Sequence, residues 1–446
     1  MPFVRKVARQ RGLTLIELMV AMVLGLLVVA GIITVFLSTS ASVKAQDQLA
    51  TLQEAGRYAM ARLSDDLSMA NAQYCSGSGG NARPTSPGGS PGPSLDDLRA
   101  PKVFAGVFAT DLSGTLPDVS TGWGNPYPAA PVRAFAIPDY LFMRGYDCDK
   151  DGTCSPADPN DFGLPDQGKD VGDRVVATSV LTLRYLDSSM GWSIGQAGGS
   201  NIVGVAGGDI DVINLMPLAG EPPVTDFDAG DLAMLSDCSL GQVFAVDVST
   251  DVGTGTLTPQ GYPANFESPG AMIGSQALRL FDFSKAFKTV TYWVRVVDAG
   301  NGRTSGALMR RINGVDEELV RGIERLDFRY GVLGDDGTTR FLSAAQVDAA
   351  TDCPWKAPDD AADPGNRTGC LWRGVQSIEV DLLMNGQTPL YSLNDVDLAY
   401  TYAGDGKNTP MQPQDHAVQP DVDQGFDKPL LRREFTALVA VRNFNP

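Results

Sequence analysis

The chain of 446 residues has a single histidine, His416, and only six cysteines. One histidine leaves a Ser–His–Asp or Cys–His mechanism with a single candidate, and His416 stands in a Pro/Gln/Asp-rich stretch that reads as a solvated loop. GxSxG, P-loop and HExxH patterns are all missing, so catalysis has no visible site and the chain is expected not to be an enzyme. CxxC spacing is missing too, which together with the scarcity of histidine argues against zinc. Cations are outnumbered, 35 Lys and Arg against 53 Asp and Glu, for a formal charge of −18. An acidic surface favours solubility and disfavours a broad phosphate-binding face, so no direct contact with nucleic acid is expected. Amphipathic helices between the later β-type runs are few, which argues against parallel βαβ units.

What the sequence has in excess is one apolar stretch. From Leu13 to Leu37 almost every residue is apolar, a run longer than the ~20 residues a helix needs to cross a bilayer. Arg5, Lys6, Arg9 and Arg11 precede it with no acid among them, and the positive-inside bias keeps that end cytoplasmic. Losing those four cations would take the formal charge from −18 to −22. Glu17 breaks the run, where a carboxylate costs roughly 2.5 kcal/mol or more unless it is paired or near an interface. A secretory signal has an apolar region of only ~7–15 residues and a small-residue cleavage site, which Thr39 and Ala41 imitate. Such a signal gains nothing from Glu17, and a plain signal anchor leaves it incidental.

Gly12 before Leu13-Thr14-Leu15-Ile16-Glu17 and an apolar helix resembles the signal of the type IV pilin and pseudopilin family. The resemblance implies a prepilin peptidase that cuts between Gly12 and Leu13 and methylates the new amine. It also implies that Glu17 meets the terminal amine of a neighbouring subunit during assembly. Leu13 stands where the family more often has Phe. The charge logic agrees, because a carboxylate in the first helical turns is favoured by the helix dipole and neutralises a nearby amine.

Helical periodicity continues beyond the apolar run. Leu49, Leu52, Gly56, Met60, Leu63 and Leu67 recur at threes and fours, which predicts a helix from Leu13 to about Ala72, ~90 Å long, with Ser38–Asp47 as the place to bend or fray. Residues 76–94, rich in Gly, Ser and Pro, read as a loose loop, and Pro117–Pro131 as a second. Short β-type runs follow: Arg174–Tyr185, Ile210–Leu215, Leu232–Leu235, Gln242–Val248, Val290–Val297, Ala307–Ile312, Ile323–Tyr330, Val375–Met384 and Glu434–Arg442. Gly334-Asp335-Asp336-Gly337 reads as a hairpin turn, and Ser343–Ala350 as a short helix. The expected fold is α+β, a long N-terminal helix on a largely antiparallel β-sheet body. Its expected divisions are a leader (1–12), a membrane or filament-core helix (13–37), an amphipathic continuation (38–74), a loop (75–101) and a β-rich periplasmic body (102–446).

Six cysteines beyond a membrane span read as disulfides in an oxidising compartment. Short spacing favours Cys148–Cys154 and Cys353–Cys370, leaving Cys75 and Cys238 to each other. The stretch from Asp147 to Asp158 also has the spacing of a calcium loop. Asp147, Asp149 and Asp151 take positions one, three and five, Gly152 the sharp turn, Thr153 a backbone carbonyl and Asp158 position twelve. Against calcium stand an Asp at twelve instead of a bidentate Glu, and Pro156 where a helix would follow. A disulfide-closed Asp/Gly turn without Ca2+ explains the same residues, and no cofactor is required.

Further blocks resemble the PilW type of minor pilin. They are Leu52-Gln53-Glu54 with Arg57 and Cys75, Gly172-Asp173-Arg174-Val175 with Leu183-Arg184-Tyr185, and Glu318 to Glu324 with Phe328-Arg329-Tyr330-Gly331. Trp372 to Ile378 and Arg432-Arg433-Glu434-Phe435 with Arg442-Asn443 complete the series. Residues 76–170 match poorly. This resemblance implies an inner-membrane precursor, processed and then built into a type IV pilus at its tip or in its initiating complex. Its implied partners are the prepilin peptidase, other minor pilins, the major pilin and a tip adhesin. The alternatives are a type II secretion pseudopilin of the J kind and a membrane-anchored, calcium-dependent adhesive module.

Overall fold

The computed structural model describes residues 14–74, 76–77, 101–104, 134–136, 143–159, 163–204, 208–237, 241–260, 268–272, 277–333, 338–350, 369–391 and 393–442. Helix α1, Leu15–Met69, has 55 residues, which makes it about 80 Å long. It starts on a capping box: Thr14 Oγ1 accepts from Glu17 N at 3.3 Å, and Glu17 Oε2 accepts from Thr14 N at 3.1 Å. Ser38–Asp47, expected as a place to bend or fray, has no proline and stays helical throughout. Beyond Ala70 the chain turns through Asn71, whose φ is +62°.

The helix has two unlike halves. Every large apolar side chain from Leu15 to Leu37 is exposed. From Leu52 onward a stripe of Leu52, Gly56, Ala59, Leu63 and Leu67 is buried against the body. It follows the spacing read from the sequence, except that Ala59 lies deeper than Met60. The closest approach is at Gly56, where a Cβ would lie 2.3 Å from Cζ of Phe435. Gly56→Val is therefore expected to destabilise the body by about 1–3 kcal/mol despite losing a helix-weakening glycine. Phe435→Ala in the same chain should recover part of that loss. A thermal melt of Gly56→Val that coincides with the parent's would refute the contact.

The body consists of several sheets where a single one behind the helix was expected. Among the described residues an eight-stranded sheet runs Val315–Arg321, Arg303–Ile312, Phe287–Gly300, Val180–Leu186, Met143–Cys148 and Cys154–Ser155, with Arg174–Val175 and Gln167–Gly168 beside it. Its long strand Phe287–Gly300 is apolar on both faces. Val290, Tyr292, Val294 and Val296 join the main core, while Trp293 and Val297 join a second cluster. A four-stranded sheet, Thr339–Leu342, Ile323–Leu333, Val375–Asn385 and Arg432–Ala440, turns one face to the same main core and to α1. Among the described residues nearly all strand pairings are antiparallel, the parallel ones being Lys102–Val103 beside Gly241–Asp251 and Gln167–Gly168 beside Arg174–Val175, with one isolated parallel bridge, Ile194 to Ser200.

Two long connections leave and return at neighbouring positions. Leu186 pairs with Phe287, and the residues between them build most of a nine-stranded sheet with clusters of its own. Because entry and exit are adjacent, this unit can be large without disturbing the strands it grows from. Asn385 pairs with Arg432, and the described residues of 386–431 between them lie against the four-stranded sheet.

The expected strands are all present, several of them longer than read: Val290–Val297 extends to Phe287–Gly300 and Gln242–Val248 to Gly241–Asp251. Arg174–Tyr185 is divided into Arg174–Val175 and Val180–Leu186. The expected helix forms over Ala344–Asp348 on a Ser343 capping box. The turn at 334–337 lies outside the described residues, though Leu333 and Thr339 on either side of it are paired.

Candidate assembly site

The bare half of α1 is the feature that water cannot accommodate. Residues 15–37 span ~35 Å at 1.5 Å per residue, enough for the ~30 Å hydrocarbon core of a bilayer. It is the one described helix long and apolar enough to cross a membrane, and none of its apolar window is buried within the chain. Glu17 lies at the start of this rod, turned back to the helix N-terminus, with Oε2 3.1 Å from both the nitrogen and the hydroxyl of Thr14. Gly12 and Leu13, the expected processing residues, lie outside the described residues.

The other half of the helix is held by more than apolar packing. Asp66, on the buried stripe, is 7 % exposed and pairs with Arg310 of the eight-stranded sheet, itself 8 % exposed. Arg310 Nε donates to Asp66 Oδ2 at 2.6 Å and a terminal nitrogen to Oδ1 at 3.0 Å, a two-pronged contact. Tyr292 OH donates to Oδ2 at 2.6 Å and Tyr185 OH to Oδ1 at 3.2 Å. Burial, then the Asp66 charge, pushes the Tyr185 hydroxyl up to about 12 and that of Tyr292 further, so both stay protonated as donors. Burial opposes the charge on Arg310, but the bonds and charge of Asp66 outweigh it and hold its proton more tightly than usual. The sequence held one clue to this latch, a carboxylate at a stripe position of an amphipathic helix; its partner, 244 residues away, had none.

A second buried pair spans the four-stranded sheet, from its strand Ile323–Leu333 to the first residue of its last strand, Arg432–Ala440. Arg432 Nε donates to Glu324 Oε2 at 2.7 Å, with both side chains fully buried. Glu324 and Arg432 both fall in blocks singled out for family resemblance, but nothing local marked them as partners.

The residues considered for calcium are dispersed. Asp147 Oδ2 accepts from Ala344 N at 2.7 Å, and its carboxyl is pushed up to about 6, chiefly by burial. Asp149 Oδ1 accepts from the backbone of Asp151 and of Thr153, both at 3.0 Å, closing its own turn. Asp158 pairs with Arg174 at 3.0 Å, and Gly152 supplies the positive φ, +83°. Among the described residues no three His, Cys, Asp or Glu side chains are arranged to hold a metal ion, so these residues do not fit the calcium set. What the loop does hold is the expected Cys148–Cys154 disulfide. Cys75, Cys238 and Cys353 lie outside the described residues, and of Cys370 only the backbone, in a short turn, is described.

His416 is not the solvated loop residue expected. It is 5 % exposed, stacked on Tyr400 at 3.9 Å between ring centres, with Nδ1 2.9 Å from Asp405 Oδ2 and Nε2 3.2 Å from the Tyr400 carbonyl.

Residues 291–443 match the family Type IV Pilus-assembly protein W, PilW, and residues 7–33 match the prokaryotic N-terminal methylation motif. No curated protein and no solved structure matches the chain. The first match covers the latch residues Tyr292 and Arg310, the pair Glu324–Arg432 and the strands that seat the helix. Over residues 291–443 the chain is thus similar to the PilW family, and over residues 7–33 to proteins that carry a prepilin-type methylation signal.

Proposed function

We propose that this membrane-anchored pilin is a minor pilin that takes part in initiating type IV pilus assembly and sits at or near the pilus tip. The observation that carries the reading is the division of α1 into a bare apolar half and a half latched into the body. A lone subunit satisfies the bare half only in a bilayer, and packing against other subunits' helices satisfies it in a filament. The size of the body supports a terminal position, because the described sheets of 187–286 add bulk beside the scaffold that matches the family. The family points to a structural role and not to catalysis.

In this reading the first twelve residues face the cytoplasm, the prepilin peptidase cuts between Gly12 and Leu13, and the body folds in the periplasm. Glu17 then pairs with a methylated amine as subunits stack, and the partners are other minor pilins, the major pilin and a tip adhesin. Mass spectrometry of the mature N-terminus in piliated cells tests the processing step. A chain beginning at methylated Leu13 is expected; a start near Ser42, or retention of the first twelve residues, would replace this reading with an ordinary secreted or tethered protein.

A further inference from the structure

We propose that residues 386–431 form a proton-held strap, closed over the four-stranded sheet while Asp381 keeps its proton and loosened around 395–416 when Asp381 ionises against Asp327. This goes beyond the assembly role and does not depend on it.

The sheet face beneath the strap is crowded with acids. Asp381 stands directly opposite Asp327 in the antiparallel register, a position where like charges repel. Asp381 is 3 % exposed, and among the described residues its Oδ1 has no hydrogen-bond partner. Asp327 is well supplied: it accepts from Ser179 Oγ at 3.0 Å, Arg325 at 2.9 Å and Tyr402 OH at 2.6 Å. Ionising Asp381 would place a second carboxylate charge beside Asp327 in a buried position. Glu379 and Glu434 add further negative potential at Asp381, and Arg329 is the cation that opposes it. Burial, then Glu379, Glu434 and Asp327, pushes the Asp381 carboxyl up to about 7.

The strap reads that charge through Tyr402, whose hydroxyl lies 2.6 Å from Asp327 Oδ2 and 3.2 Å from the Asp381 carbonyl. Gly404 lets the chain pass close, since a Cβ there would lie 2.9 Å from Asp327 Oδ2. The next fastenings are ionic too. Arg325 bridges Asp327 to Asp405 of the strap at 3.2 Å and lies over the Tyr402 ring, and Asp405 in turn holds His416. Ala403 N donates to Glu434. His416 Nδ1 faces the Asp405 carboxylate and Nε2 the Tyr400 carbonyl.

The far end of the strap is fastened independently of Asp381. Gln424 donates to the carbonyls of Val176 and Glu324, and Arg432 donates to Asp427 O, Lys428 O and Leu430 O. Loosening is thus confined to the near part.

The sign follows from linkage. A carboxyl held protonated by the fold, with a native value of about 7 against ~3.9 unfolded, favours the closed form fully below the lower value and loses that contribution as pH rises through the higher one. Hydrogen exchange on the full chain in detergent, corrected for intrinsic rates at about pH 5.5 and about pH 8.5, reads this directly. Protection over 395–416 is expected to fall by about tenfold or more at the higher pH, while 424–432 and the eight-stranded sheet hold theirs. Asp381→Asn should abolish the fall and keep the strap protected at both values. Glu434→Gln, a milder change, should move the transition to lower pH, because ionised Asp381 then meets one fewer repelling charge. Equal protection of the parent strap at both values would overturn the proposal. So would a pH response that survives Asp381→Asn and vanishes in His416→Gln, which would assign it to the histidine.

Discussion

Asp66→Ala is expected to be the most damaging single change in the body, costing on the order of 3–5 kcal/mol, the usual penalty for breaking a buried ion pair from one side. The loss exceeds that of a contact, because the Arg310 guanidinium stays 8 % exposed with its main counter-charge gone. The half-exposed Glu317 at 3.6 Å is a poor replacement. The hydroxyls of Tyr185 and Tyr292 lose the same acceptor. Asp66→Leu combined with Arg310→Met should recover most of the stability, since removing both charges leaves no unpaired ion. Urea unfolding of the full chain in detergent compares the three. A midpoint for Asp66→Ala that implies a loss under about 1 kcal/mol would show that apolar packing alone seats the helix.

Glu17→Ala is expected to reduce the protein recovered in sheared pili by at least about tenfold while leaving its membrane insertion intact. An uncompensated charge within the apolar layer costs roughly 2.5–3.5 kcal/mol, enough for a drop of that size. In the free chain Glu17 also closes the helix cap with Thr14, so a capping defect must be separated from lost pairing between subunits. Thr14→Ala makes that separation: it removes the cap, worth about 1 kcal/mol, and keeps the carboxylate. Near-normal pilus recovery is expected for Thr14→Ala. Normal recovery of Glu17→Ala, or equal losses in the two variants, would rule out a charge-pairing role.

Legibility in the sequence followed how local each signal was. Asn313-Gly314 closes the hairpin from Ile312 to Val315 with both residues at positive φ, yet the strand after it, Val315–Arg321, escaped notice. Its residues Val315 to Glu318 are exposed and mostly charged, so it has no alternation to read. Met143–Cys148 was hidden for the opposite reason. Arg144 sits 1 % exposed on that strand, its Nε paired with Asp348 at 3.3 Å, and a buried arginine looks like a surface residue until its partner is known. His416 was misread in the same way, because the groups that bury it, Tyr400 and Asp405, come from another part of the strap. The acids of 147–158 have the spacing of a metal loop, but spacing does not show that Asp147 turns to Ala344 and Asp158 to Arg174.

What the sequence determined alone was the rod and its signal. A continuous apolar run, a helical stripe beyond it, one acid and a basic leader are statements about neighbouring residues, and no distant contact was needed to read them. The tertiary structure decided which charges are buried together. Asp66 meets Arg310 across 244 residues and Glu324 meets Arg432 across 108, in sheets whose order depends on every strand between. A buried charge is stable only beside its counterpart, and only the completed fold brings the two together.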